Sequence, residues 1–358
     1  MSYNGALDSL GQSQVLPYLA EIRKDGHEVR LFSFEKRSES AASGVATLQE
    51  KLREQGIYWT WLWYHKRPPV FSTIWDLIRG IYTTFWLTVR HRIQVLHARS
   101  HVAAAMAWPV ARFLRRRFIF ELRGQMAYEY ADGGTWTDGG FLYRLVERAE
   151  RRFARDADVI VLLTHRLAND LKPSTERHLV VIPTCVDLEL FAAPSTLVYE
   201  RRTCMAYSGS LGARYAPELL VASYLEAAQA IPGLELLILT HSDQVLIARV
   251  LADASVSSKR YTIAQALHHE VPRYLSRALF GVLLLRGDRS LRGACPTKVG
   301  EYLAAGLPVL SSPGIGDCTD LLEGNRGGHV NRCANRSQAA TSQARSWTRT
   351  PLTYSAPW

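Results

Sequence analysis

Short continuous apolar runs alternate with stretches of helical spacing along most of the chain. Residues 12–25, QSQVLPYLAEIRKD, carry apolar positions three and four apart, and GHEVRLFSFE after them reads as a turn followed by a strand beginning at Val29, Leu31 and Phe32. Further strands are expected at 57–63, 93–97 (IQVLH), 117–121 (RFIFE), 158–163 (DVIVLL) and 179–182 (LVVI), with helices between them. The alternation restarts at 203–209 (TCMAYSG). A helix at 216–230, a strand at 234–240, a helix at 243–253, a strand at 260–263, a helix at 269–277 and a strand at 279–285 (LFGVLLL) then follow. Parallel strands need a crossover between them, so apolar strands alternating with helices predict a parallel sheet covered on both faces.

The pattern therefore predicts an α/β chain of two doubly wound domains in tandem, residues 1–195 and 196–330, with a linker near 192–200 and no internal repeat. Both ends depart from it. The first strand of such a domain normally lies near the centre of its sheet, yet only Met1 to Tyr3 precede the glycine-containing loop, so the chain reads as starting inside its own first strand. Residues 331–358 hold a single leucine and no Ile, Val, Phe or Met, which leaves nothing to build a buried helix face. They read as a disordered tail, or equally as the mark of a shifted frame or a truncated gene.

Residues 57–92 concentrate five of the nine tryptophans among ten aromatics. YWTWLWY at 58–64 alternates as a strand does, while Ile74, Ile78, Ile81, Phe85 and Val89 recur at helical spacing with Arg79, Arg90 and Arg92 nearby. Two readings stand: an aromatic-rich core helix, or an interfacial helix lying against a membrane, with Arg115, Arg116 and Arg117 adding attraction to anionic lipid.

Composition narrows the class. At 358 residues with 47% apolar and 21% charged residues, the chain can bury two sizeable cores. Its net charge of +10 is uneven: residues 1–195 hold 26 Lys/Arg against 21 Asp/Glu, residues 196–330 hold 13 against 12, and residues 331–358 hold four arginines and no acid. A basic first half suits nucleic acid, an anionic membrane face or a phosphorylated ligand. Nucleic acid ranks last, because no RRM, KH or zinc-finger signature is present and the arginines sit within amphipathic helices. The five cysteines, at 185, 204, 295, 318 and 333, form no C-x-x-C pair and indicate neither a disulfide framework nor a zinc cluster. With no charged-then-apolar leader and no apolar run of about 18 residues, a cytoplasmic location is expected.

The stretch CPTKVGEYLAAGLPVLSSPGIGD, residues 295–317, carries the most chemistry. Pro296 suits the first helical position, and the free N–H groups of that first turn make an anion site aided by the helix dipole. Lys298 and Glu301, three apart, project from one face of the turn. The lysine there can neutralise a diphosphate while the carboxylate accepts hydrogen bonds from ribose hydroxyls. Ala304, Ala305 and Gly306 allow close packing on the sheet, and the strand PVLSS leads into the turn holding Gly314. The plainer alternative is a capped helix with a surface ion pair.

The string PTKVGEYLAAGLPVL resembles the donor-binding signature of the family 4 retaining glycosyltransferases (glycosyltransferase group 1), of the bacterial surface-polysaccharide type. Segments from about residue 3 to 330 are similar to that family in order and spacing: LDSLGQSQVLPYLAEIRKDGHEV, VLHARS, FELRGQMAYEYADGGTW, VVIPTCVDLELF, AYSGSLGARYAPELL, LLILTHSD and HHEVPRYLSRALFGVLLL. The resemblance implies a GT-B fold, with two Rossmann-like domains facing across a cleft, an acceptor-side first domain and a nucleotide-sugar-binding second domain. It implies that Glu301 binds the ribose of the nucleotide sugar, that Gly11 lets backbone approach the donor diphosphate, and that Arg123, His97 and Glu129 line the sugar and acceptor side. Two departures matter. Gly293 stands eight before Glu301, where many relatives have a second glutamate. Ser210 and Tyr215 fill the usual arginine and lysine places after the first glycine of the second domain, with Arg214 one residue off, so donor phosphate binding is expected to rest on Lys298, Arg214 and the helix N-terminus, with Gly314 also on the donor side.

The expected function is transfer of a sugar from a nucleotide-diphosphate donor to a lipid-linked or polysaccharide acceptor, with retention, in surface-glycan synthesis. The donor is a co-substrate, and no cofactor, metal or nucleic acid is expected. Peripheral contact at the inner face of the cell membrane is. A non-catalytic scaffold that binds sugar nucleotide or an assembly partner, and a sugar-nucleotide epimerase, are the rival readings.

Overall fold

The computed structural model of the chain describes residues 1–37, 41–65, 69–172, 177–192, 202–212, 215, 217–286, 289–324 and 328–330. The expected tail at 331–358 and Arg214 lie outside them. The chain divides into two compact units, one of Met1–Tyr128 and Trp136–Pro183, the other of Glu129–Thr135 and the chain from Thr184 onward.

The first unit runs α1 (Ser9–Gln14), α2 (Leu16–Lys24), β1 (Arg30–Glu35), α3 (Ala41–Glu54), β2 (Tyr58–Trp63), α4 (Pro69–Arg90), β3 (Val95–Arg99), α5 (His101–Leu114), β4 (Arg117–Leu122), α6 (Met126–Asp132), α7 (Phe141–Asp156), β5 (Val159–Leu162), α8 (His165–Leu171) and β6 (His178–Val181). β1 pairs with β2, and β3-β4-β5-β6 form a second parallel ladder. Ser2 makes parallel bridges to both Ser33 and Arg99, so it stands between β1 and β3 and joins the two ladders. The helix expected at 12–25 opens earlier and is interrupted at Val15. Pro17, in the first turn of α2, has no N–H with which to continue the ladder from α1. In α4, Ile81 packs against the core but Ile74, Ile78, Phe85 and Val89 are exposed, so the core-helix reading holds for one of its five positions.

The second unit runs α9 (Leu188–Phe191), β7 (Cys204–Ser208), α10 (Pro217–Ala230), β8 (Glu235–Leu239), α11 (Gln244–Asp253), β9 (Tyr261–Ala264), α12 (Val271–Leu275), β10 (Ala278–Leu283), α13 (Thr297–Ala304), β11 (Val309–Ser311), α14 (Cys318–Gly324) and β12 (Gly328–Val330). Its sheet is parallel, in the order β12-β11-β10-β7-β8-β9. Numbered within the unit this is the doubly wound order 3-2-1-4-5-6 read backwards, with its reversal between β7 and β10. One core, built on Tyr302, Val299 and Leu237, covers one face, and another, built on Leu236, Leu220 and Leu251, covers the other. The helix expected at 269–277 is a 3-10 turn at His268–Glu270 followed by α12, where Pro272 opens a new helix. Residues 184–192 group with this unit although the sequence pattern assigned them to the first, because Phe191 is fully buried in the core beside Tyr302.

Gly281 in β10 sets the fit of α13 on the sheet. A methyl group there would stand 2.4–2.7 Å from ring carbons of Tyr302, whose hydroxyl accepts a hydrogen bond from the Ser208 amide at 2.8 Å. Gly281→Ala is expected to lower stability by about 1–3 kcal/mol in chemical denaturation, because a rigid ring in a closed core must shift.

Candidate functional site

The reversal between β7 and β10 is where an open α/β sheet offers a crevice beyond its carboxyl ends, since the crossovers on either side lead to opposite faces. β7 ends at Ser208, and the chain leaves it through Gly209 with φ +122, a conformation that L side chains rarely adopt. A side chain at 209 would also meet Lys298, whose Nζ lies 2.9 Å from the position of a Cβ. The lysine thus comes from the first turn of α13 to the end of β7. The N-cap of α13 is Pro296, in extended conformation, and Thr297 is its first helical residue. The proline therefore sits one place before its expected position.

Lys298 is not a surface residue. It is 8% exposed, its Nζ has no hydrogen-bond partner, and the ammonium lies over the rings of Tyr207 at 4.1 Å and Tyr215 at 4.4 Å. Two ring faces attract a cation but do not replace its hydration. Burial accordingly pushes the lysine pKa down to about 7, against the opposing pull of the Glu301 charge. Glu301 turns instead toward His268 in the 3-10 turn before α12, with Oε1 at 3.4 Å from Nε2. His268 in turn packs on the Phe191 ring. No ion pair joins Lys298 to Glu301, and the alternative of a capped surface helix with an ion pair is overturned.

Gly314 follows β11 with φ +80 and open space around it, and its amide donates to Thr319 Oγ1 at 3.3 Å. The sequence pattern singled out Lys298, Glu301 and Gly314. It missed Tyr207, Gly209 and His268, and it took Tyr215 only as a departure from the usual lysine. The one usable signal for these was an aromatic just before the glycine that closes the first strand of the second unit.

In the first unit, Gly11 lies inside α1, and a Cβ there would stand 2.3 Å from the Gly5 carbonyl oxygen. The glycine is thus required by the chain's own loop, which α1 closes upon. That loop is held from below by Glu35 at the end of β1. Its buried carboxylate accepts from the amides of Ala6 (2.7 Å) and Leu7 (3.2 Å) and from the Ser33 hydroxyl (2.6 Å), and the Trp59 indole donates to Ser33 Oγ. Glu35 carried no pattern in the sequence that set it apart.

His97 and Arg123 are brought together with Arg99 around a residue the pattern did not reveal, Glu121. Adjacent parallel strands put Arg99 opposite Glu121, and His97 and Arg123 flank the same point. Glu121 lies 3.1 Å from His97 Nε2, 3.4 Å from Arg99 Nε and 3.3 Å from an Arg123 terminal nitrogen. Burial alone would raise its pKa, but the hydrogen bond from His97 and the charges of His97, Arg123 and Arg99 outweigh it and hold the carboxyl at about 2. Arg99 is lowered to about 10, first by burial and then by the Arg123 charge. Glu129 stands in the first turn of α6, half-buried, in the segment that groups with the second unit.

The sequence profile described as "Glycosyl transferase 4-like domain" matches residues 11–185. Residues 11–185 thus form a glycosyl transferase 4-like domain. The fold of the chain agrees. The sucrose-phosphate synthase of Thermosynechococcus elongatus superposes with a TM-score of 0.66 at 16% identity over 94% of this chain and 85% of that one. Anabaena Alr3699/HepE, solved with UDP and glucose, gives 0.61 at 12% identity over 90% of each chain. A putative UDP-N-acetylglucosamine 2-epimerase from Listeria monocytogenes gives 0.59 at 10% identity over 97% of this chain and 86% of that one. Comparison with curated protein sequences finds no match. The two Rossmann-like units of this chain are therefore of the GT-B type.

Lys298 gives the protein a measurable signature. An unfolded lysine titrates near 10.5, and this one titrates at about 7 when folded, so between those values the unfolded chain binds the extra proton and stability rises with pH. From pH 7 to pH 9 the contribution is about 2 kcal/mol. Lys298→Met is expected to be the more stable protein at pH 7 and to lack this rise in urea unfolding. A variant whose pH dependence matches the parent would show that the amine is not held as described.

Proposed function

We propose that the chain transfers a sugar from a nucleoside-diphosphate sugar to a lipid-linked or polysaccharide acceptor, with retention at the anomeric carbon. One observation carries the reading: a lysine ammonium buried without a hydrogen-bond partner at the carboxyl end of β7, in the first turn of α13. A diphosphate is the ligand such a place lacks, because its negative charge replaces the hydration that the buried cation has lost and it can also accept from the helix N-terminus. Alr3699/HepE, of the same fold, is described with UDP and glucose.

In this reading Lys298 and the α13 N-terminus hold the charge that develops on the leaving diphosphate, which lowers the barrier without an enzyme nucleophile. Glu301, steadied by His268, accepts from the ribose hydroxyls. The Gly314 turn completes the donor pocket, and the Gly11 loop, braced by Glu35, contributes backbone toward the donor. We assign His97, Arg123 and Glu129 to the sugar and acceptor. Surface-glycan synthesis at the inner face of the cell membrane is the setting we assign to the reaction.

The likeness to the Listeria epimerase favours a second reading, isomerisation of the free donor. Incubation with radiolabelled UDP-sugars and a membrane extract separates the two. Label entering lipid or polymer supports transfer, and an isomerised free sugar nucleotide supports the epimerase. Donor binding itself is tested by calorimetry with UDP. Lys298→Met and Glu301→Ala are each expected to weaken binding by about tenfold or more. Because bound diphosphate favours the charged amine, affinity for the parent should fall as pH rises above about 7, with proton uptake on binding. Unchanged affinity in both variants would refute the site.

A further inference from the structure

Helix α4 is amphipathic the wrong way round for a core helix. Its buried positions are Ser72, Asp76, Gly80, Thr84, Leu87 and Thr88, all but one of them polar or glycine. Phe71, Trp75, Ile78, Tyr82, Trp86 and Val89, spaced three and four apart, form one continuous stripe in solvent, with Phe71 75% and Tyr82 70% exposed. The inward face is fixed by specific bonds. Asp76 ties that face to the rest of the unit by accepting from the Tyr3 hydroxyl, the His65 amide and His65 Nδ1, while Thr84 and Thr88 satisfy their own hydroxyls on helix carbonyls one turn back. At Gly80 the helix comes so close to α5 that a Cβ would strike Met106 Sδ. The apolar stripe faces outward because the polar face is locked in.

The charge around the stripe says what covers it. Residues 66–120 contain ten Lys/Arg and one acid, and that acid is the buried Asp76. Arg79 and Arg90 border the stripe on α4. Phe113, 77% exposed in the last turn of α5, meets Phe85 at 6.0 Å between ring centroids and carries the patch toward Arg115, Arg116 and Arg117. Among the described residues none of these five arginines makes an ion pair. No helix among the described residues is long and apolar enough to cross a membrane. Tryptophans and a tyrosine on an apolar stripe, rimmed by cations that make no ion pair among the described residues, with the exposed Glu28 near His91 at its far end, match the surface of an anionic bilayer, where ring bodies enter the headgroup boundary and the arginines meet phosphate.

We infer that the outer face of α4, with the end of α5, docks the chain flat on an anionic lipid bilayer. The inference rests on the proposed transfer only for what the docked protein meets there, a lipid-linked acceptor. Docking itself needs no donor.

The test is co-sedimentation of the full chain with vesicles of phosphatidylcholine alone and with about one-third phosphatidylglycerol. Binding to the anionic vesicles is expected to be at least about tenfold stronger and to fall at about 0.5 M salt. Trp75→Gln with Trp86→Gln should abolish it. Arg115→Gln, Arg116→Gln and Arg117→Gln together should remove the preference for phosphatidylglycerol while leaving thermal unfolding unchanged. Failure of the parent to bind anionic vesicles, or tryptophan variants that bind as well as it does, would overturn the inference. So would a concentration-dependent dimer that the same tryptophan variants dissolve. UDP affinity measured on the same proteins is expected to be unchanged, so a failure of the donor site and a failure of the docking face are read separately.

Discussion

A lysine ammonium taken out of water and given no carboxylate is the constraint from which the second unit is best understood. The aromatic rings of Tyr207 and Tyr215 partly compensate it, and Glu301 lends field without contact. Gly209 must be a glycine both for its backbone angle and to leave room for the amine. Tyr302, on the same helix, anchors α13 to the strand end through the Ser208 amide and lies against Gly281. The helix that carries the cation is thus docked so closely that the cation has one place to go. A buried cation without a partner is a cost, and the proposed diphosphate is the ligand that would remove it.

The first unit handles charge in the opposite manner. There the carboxylate of Glu121 gathers His97, Arg99 and Arg123, and the buried arginine keeps a neighbour of opposite sign. Glu35 does comparable work with neutral donors, fixing the loop that α1 closes upon. Both carboxylates stand at the carboxyl ends of parallel strands, as Lys298 does at the end of β7. That common placement follows from topology, since crossover connections all leave a parallel sheet from the same edge.

Much of the fold was legible because its strands are continuous apolar runs bounded by glycine and polar residues. RFIFE and DVIVLL became β4 and β5 within a residue of the expected limits. Prolines spoiled the helix limits, at Pro17 and Pro272, where a missing N–H starts a helix afresh inside a single periodic pattern. Of the site, Lys298 and Glu301 could be read from their spacing, but not their fates. Whether a lysine three places from a glutamate pairs with it or is buried depends on Tyr207, ninety-one positions earlier, and on the strand order that brings it near. His268 and Glu121 were illegible for the same reason, because each acquires meaning only from a neighbour distant in sequence. Helix α4 shows the limit most sharply. Its periodicity was plain, but periodicity does not say which face turns inward, and here Asp76 and Gly80 decide it.

The central claim is that Lys298 is a cation held for an anion, and the most direct measurement is a side-chain NMR titration of the lysines, with the Lys298 signal assigned by its loss in Lys298→Met. The account predicts one lysine titrating at about 7 in the free protein and moving strongly upward when UDP is added. A Lys298 signal that titrates near the ordinary lysine value and ignores UDP would contradict it.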